Sequence, residues 1–130
     1  VVLAGPLGVG KTFFVRGLLR KRGLPSEERV TSPTFALVQE YELSPRVLHA
    51  DLYRVKRGAE VTALGLSEER TRGAILLVEW GTPFVQELGG DALVLDFGLI
   101  PGAARGRRAE VRAEGSRSNE LLGALALNRA

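Results

Sequence analysis

Residues 5–12 read GPLGVGKT, and this octapeptide restricts the possible folds more than any other stretch of the chain. It matches G-x-x-x-x-G-K-[ST] in full. A loop that wraps a polyphosphate aims several backbone N–H groups inward. The close approach and unusual backbone angles this needs are open to Gly5 and Gly10 and obstructed by a side chain. A helix starting near Lys11 directs its positive end at the same anion. Lys11 would bring a full charge to the β- and γ-phosphates, and the Thr12 hydroxyl would ligate Mg²⁺. The context fits. Val1 to Ala4 is an apolar run suited to a buried parallel strand. From Lys11 to Arg22 the pairs Phe14/Leu18 and Val15/Leu19 recur at helical spacing, with Arg16, Arg20 and Lys21 on the wet side. Gly23 and Pro25 then end the helix. The binding set expected from this region is Gly5, Gly8, Val9, Gly10, Lys11, Thr12 and Phe13.

Downstream, Ser26 to Pro33 is polar and reads as a loop. Phe35 to Leu43 and Arg46 to Tyr53 read as strands. The Ser44-Pro45 link between them is too short for a parallel crossover, so an antiparallel hairpin is expected. Gly58 to Arg72 suggests short helical pieces broken at Gly65. Ala74 to Trp80 (AILLVEW) is the most apolar strand and is expected at the centre of the sheet. Thr82 to Leu88 suggests a brief helix, Ala92 to Leu99 a strand, and Arg108 to Glu114 an edge strand. Ser118 is the expected cap of a last helix whose Leu121, Leu122 and Leu125 share one side. With no internal repeat or boundary, residues 1–130 read as one α/β domain with a mixed, partly antiparallel sheet.

A phosphate-binding loop acting as a hydrolase needs a second carboxylate for magnesium. Glu79 ends the apolar AILLVE run, where a cation would satisfy it; the alternative is a glutamate that simply reaches water. Asp51, in HADLYR, would contact the metal through water or orient the attacking water; the alternative is an ion pair with Arg54 or another basic residue. Catalytic candidates are therefore Lys11, Asp51 and Glu79, and metal candidates Thr12, Asp51 and Glu79. In Thr31-Ser32-Pro33-Thr34, Thr34 is the first choice for a hydroxyl that senses the γ-phosphate and Ser32 the second, against ordinary turn chemistry. His49, the single histidine, reads as structural. Trp80 either packs near the nucleotide or fills core. Neither Asn119 nor Asn128 precedes a lysine, so a guanine-recognising Asn-Lys-x-Asp is absent and ATP is favoured by elimination.

Composition narrows the setting. The chain has no cysteine, which removes disulfides, thiolate metal sites and thiol nucleophiles. That is compatible with the cytosol, and a cytoplasmic location is expected. No apolar run approaches the roughly 20 residues of a membrane span, so no membrane partner is expected. The missing initiator methionine suggests that the natural protein has residues before Val1. Net charge is +3. The clusters Arg16/Arg20/Lys21/Arg22 and Arg105/Arg107/Arg108/Arg112 read as solvated faces, with nucleic-acid phosphate contact as the alternative.

GPLGVGKT at 5–12, TSPTF at 31–35, HADLYR at 49–54 and LVEW at 77–80, in this order, resemble the TsaE family, over Val1 to about Glu114. The resemblance implies a P-loop NTPase-like three-layer α/β/α fold. It also implies ATP and Mg²⁺ as ligands, slow ATP hydrolysis, and work with the TsaB–TsaD heterodimer. That heterodimer makes N6-threonylcarbamoyladenosine at position 37 of tRNA, so tRNA would be met through the complex. By motif match Lys11 and Thr12 fall on phosphate and magnesium, Thr34 on a switch-like loop, and Asp51 and Glu79 on the metal and water side, with Trp80 beside them. The chain departs from the family at Pro6, where an acidic residue is common, and at Phe13, where a small hydroxyl residue is common. A small-molecule kinase and a non-catalytic nucleotide-sensing module are the competing readings.

Overall fold

The computed structural model of the chain describes residues 1–33 and 37–127. The elements are β1 (Val2–Ala4), α1 (Lys11–Lys21), β2 (Val38–Tyr41), β3 (Val47–Asp51), α2 (Gly58–Ala63), α3 (Leu66–Thr71), β4 (Ile75–Glu79), β5 (Ala92–Leu99), β6 (Arg107–Glu114) and α4 (Ser116–Leu127). A 3₁₀ turn at Thr82–Phe84 follows β4. They build one six-stranded sheet in the order β2-β3-β4-β1-β5-β6. β1, β3, β4 and β5 run parallel, while β2 and β6 lie antiparallel at the two edges.

Alternation along each strand divides the core between two faces. Val2, Leu48, Ala50, Leu76 and Val78 face Val61 of α2, Leu66 of α3 and Phe84. Leu3, Val47 and Leu77 face Val15 and Leu19 of α1. The result is a P-loop NTPase-like α/β architecture with the mixed sheet between helices. β4 belongs to the central pair with β1, as its apolar run leads one to expect.

Several elements differ from the expected bounds. β2 begins only at Val38, after Leu37 in a left-handed conformation (φ 61°), and Phe35 lies outside the described residues. β3 stops at Asp51: the Leu52 amide makes a last ladder bond to the Glu79 carbonyl (3.0 Å), and the Tyr53 amide turns back to the Asp51 carboxylate (2.9 Å). The Thr82–Leu88 segment is helical only over its 3₁₀ turn. Gly65, at φ 72°, makes the expected break between α2 and α3.

The proposed cap at Ser118 is a correction. α4 starts at Ser116, so Ser118 lies inside the first turn. The capping oxygens come from Asp91, which accepts the backbone N–H groups of Arg117 (2.9 Å) and Ser118 (3.0 Å) and also the Ser118 hydroxyl. Among the described residues no helix is long and apolar enough to cross a membrane.

Candidate functional site

The C-terminal ends of β1, β3 and β4 lie side by side at one end of the sheet, and the cleft is built around them. β1 delivers the glycine loop, which runs through Gly8 (φ 76°) and Gly10 (φ 115°) into α1. Gly5 is required for space as well as angle. A Cβ there would stand 2.6 Å from the Phe97 carbonyl oxygen of β5, a distance no real Cβ tolerates. The loop is fixed from a distant strand too: Arg107 of β6 donates Nε–H to the Val9 carbonyl (3.0 Å).

Asp51 and Glu79 are brought together by register. They are Cα partners at the ends of adjacent parallel strands, with side chains on the α1 face. Both are buried, Asp51 at 7% and Glu79 at 3% exposure. Glu79 therefore does not merely reach water. The Thr12 hydroxyl donates to its carboxylate at 3.2 and 3.0 Å, and His49 Nε2 lies 2.6 Å from Oε2. Asp51 accepts from the Ser32 hydroxyl and from the Tyr53 amide (2.9 Å). Among the described residues it makes no ion pair with Arg54, the alternative that its sequence neighbourhood raised.

Lys11 is almost fully enclosed. Its ammonium donates to the carbonyls of Gly5 and of Pro6 (3.1 Å) and lies 4.0 Å from the centre of the Trp80 ring. Burial pulls its pKa below the ordinary 10.5, while Glu79 and then Asp51 act the other way. Trp80 leaves β4 with φ 61°, and its ring meets Tyr53 at 4.9 Å. A cleft of about 420 Å³ opens between these groups, lined by Lys11, Thr12, Asp51, Arg54, Glu79 and Trp80 among others.

The other expected residues fall as follows. Gly8 and Gly10 line the cleft; Val9 is buried. Gly5 lies behind the cleft, its carbonyl on Lys11. Phe13 is 73% exposed and lines a separate apolar groove with Phe14, Phe97 and Arg107. Thr34 lies outside the described residues. Three residues gain a place that sequence reasoning did not give them: His49 under Glu79, Arg107 on the loop, and Arg54 on the cleft wall. Only His49 left a signal, since it lies two residues before Asp51 on the same face of β3. Arg107 is 98 residues from its partner.

A glycine-rich loop rising from a central parallel strand into a helix, flanked by carboxylates at neighbouring strand ends, defines a P-loop NTPase-like protein. The family model for "Threonylcarbamoyl adenosine biosynthesis protein TsaE" matches residues 1–105, ending before β6 and short of Glu114. The chain belongs to the TsaE family. A Rickettsia felis protein named tRNA threonylcarbamoyladenosine biosynthesis protein TsaE is 43% identical over 81 residues, covering 62% of this chain and 46% of that protein. Its Haemophilus influenzae namesake is 38% identical over 81 residues (62% and 50%). That of Streptomyces coelicolor is 38% identical over 99 residues (73% and 65%). The chain spans about half the length of these curated relatives. The crystal structure of Bacillus subtilis YdiB superposes with TM-score 0.68 at 27% identity, covering 96% of this chain and 74% of that one.

Proposed function

We propose that this chain binds ATP with Mg²⁺ in the cleft, hydrolyses it slowly, and so serves N6-threonylcarbamoyladenosine formation at position 37 of tRNA beside a TsaB–TsaD heterodimer. The names carried by its relatives support the tRNA-modifying role. A cytoplasmic setting goes with that role.

The observation that carries the nucleotide reading is the convergence of Thr12 Oγ1 and the Glu79 carboxylate, at 3.0–3.2 Å, at the foot of the glycine loop. Magnesium suits such a pair. Among the described residues no group of three or more His, Cys, Asp or Glu side chains gathers to hold a metal. Mg²⁺ is ordinarily held by one or two carboxylates with substrate phosphates and water completing the shell. When bound it supplies charge neutralisation to the β- and γ-phosphates.

The chain's own groups do the rest. Loop amides cradle the phosphates, and the Lys11 ammonium exchanges two carbonyl partners for phosphate oxygens. Thr12 and Glu79 hold the cation, and His49 holds Glu79. Asp51, oriented by Ser32 and the Tyr53 amide, positions the attacking water.

The test uses two variants and one association assay. Lys11→Ala should lose Mg-ATP binding and hydrolysis together. Glu79→Gln should keep nucleotide and lose Mg²⁺-dependent hydrolysis by about 100-fold or more. Unchanged hydrolysis in both removes the ATPase reading. TsaB–TsaD should retain the protein in a pull-down in a way that depends on ATP against ADP. No association with ATP, with ADP or without nucleotide removes the partner.

A further inference from the structure

Arg54 is a charged side chain on the cleft wall with no side-chain partner among the described residues. The cleft that it lines also holds Lys11, Thr12, Asp51 and Glu79. Beside two buried carboxylates an arginine would ordinarily be drawn into an ion pair. Arg54 makes none among the described residues, and no hydrogen bond of its side chain is found there either. The acids are already satisfied: Asp51 by Ser32 and the Tyr53 amide, Glu79 by Thr12 and His49. Arg22, Arg29, Arg57, Arg105, Arg108 and Arg117 likewise have no side-chain partner among the described residues, but none of them lines this cleft, whereas several arginines elsewhere are held. Arg20 holds the carbonyls of Pro25 and Glu28, Arg46 pairs with Glu40 and Glu69, and Arg107 holds Val9.

The backbone that carries Arg54 is nevertheless fixed on both sides. Leu52 and Val55 are buried, and the Val55 amide closes a turn on the Leu52 carbonyl (3.0 Å). The Leu52 amide is stapled to Glu79 (3.0 Å), and the Tyr53 ring packs on Trp80. The fixed backbone sets where the always-charged guanidinium can reach, and the ordering of its own side-chain rotamers is the cost that remains. The charges in the cleft also ask for it. Lys11 and Arg54 are the cationic side chains of the cleft lining, so without Arg54 the charge that develops during phosphoryl transfer would face Lys11 alone among them.

Resting on the nucleotide-hydrolysing reading, we propose that Arg54 is a catalytic residue supplied by this chain itself, whose guanidinium contacts the γ-phosphoryl group as it is transferred to water. In that step the water oxygen bonds to the γ-phosphorus. The bond to the bridging oxygen breaks, and its electron pair stays on ADP. One water proton remains on inorganic phosphate and the other passes to solvent. Charge grows on the leaving bridging oxygen, where a fixed cation stabilises the transition state more than the bound substrate.

The experiment compares wild type, Arg54→Ala and Arg54→Lys in two titrations, Mg-ADP alone and Mg-ADP with aluminium fluoride as a mimic of the phosphoryl group in transfer, alongside single-turnover ATP hydrolysis. Arg54→Ala is expected to bind Mg-ADP within about 3-fold of wild type while losing about 100-fold or more in the fluoride complex and in the hydrolysis rate. Arg54→Lys should recover only part, because its point charge lacks the fork. Arg54 is exposed, so the melting temperature should not move. Equal losses for Mg-ADP and the fluoride complex would overturn the proposal by making Arg54 a ground-state clamp. An unchanged hydrolysis rate in Arg54→Ala would overturn it directly. A wild-type protein that binds Mg-ATP without ever hydrolysing it would remove the hydrolase reading beneath it, and that result is visible before any variant is made.

Discussion

His49 has two ring nitrogens with unequal surroundings. Nε2 reaches Glu79 Oε2 at 2.6 Å, whereas Nδ1 is buried with no hydrogen-bond partner among the described residues. An orphaned buried nitrogen costs stability, so a fully buried histidine here is poorly explained by packing alone. In the proposed magnesium site its contact with Glu79 explains it better, because partners behind a metal-holding carboxylate fix that group's orientation. His49→Leu should therefore raise the Mg²⁺ concentration needed for half-maximal hydrolysis by about 10-fold. His49→Gln, which keeps an N–H donor, should recover part of that. An unchanged magnesium response in His49→Leu would make the residue structural after all. The place of Gly5, Gly10, Lys11 and Thr12 in a strand-to-helix loop could be inferred from the octapeptide because loop geometry is local. That of His49 could not, since its spacing from Asp51 shows a shared face of β3 but not which strand lies beside it. Trp80 stood between two readings for the same reason; its ring lies under the Lys11 ammonium.

Strands β1 and β4 and helix α1 could be read from the chain because burial on one or both faces leaves an unbroken pattern. The ends of β2, β3 and α4 could not, because contacts from elsewhere terminate or cap them. α4 shows this most plainly. Asp91, 26 and 27 residues before the amides it receives, caps a helix for which Ser118 was the local candidate. The Ser118 hydroxyl first, then the Arg117 and Ser118 amides, with Arg70 nearby, hold the Asp91 carboxyl below its ordinary pKa of 3.8. A carboxyl lowered in the folded state adds stability above its unfolded pKa and loses it as pH falls through the folded one. Asp91→Ala should thus lower the melting temperature by a few degrees at neutral pH. The gap from wild type should close as the pH drops below the ordinary value. A gap that persists in acid would mean that the charge of Asp91 is not what holds α4. Exposed Leu121 and Leu125 give the helix little core of its own, which makes the cap matter more.

Across the molecule, the site depends on long-range alignment. The sheet places Asp51 beside Glu79, each two positions beyond a core partner pair, His49 and Leu77. Only the β3–β4 register puts the two carboxylates level with each other and with the loop that follows β1. β6, beyond the span matched by the family model, sends Arg107 back to Val9. Sequence reasoning reached the ingredients and the α/β class, while distances between strands far apart in the chain had no local trace. The proposed function depends on one physical event, the clasping of a magnesium-bound polyphosphate by the amides and ammonium of residues 5–12. Calorimetric titration of the chain with Mg-ATP measures it directly. One-to-one binding with released heat, abolished by Lys11→Ala in a variant that still melts cooperatively, is the expected result. The absence of any heat of binding in the folded wild-type protein would contradict it.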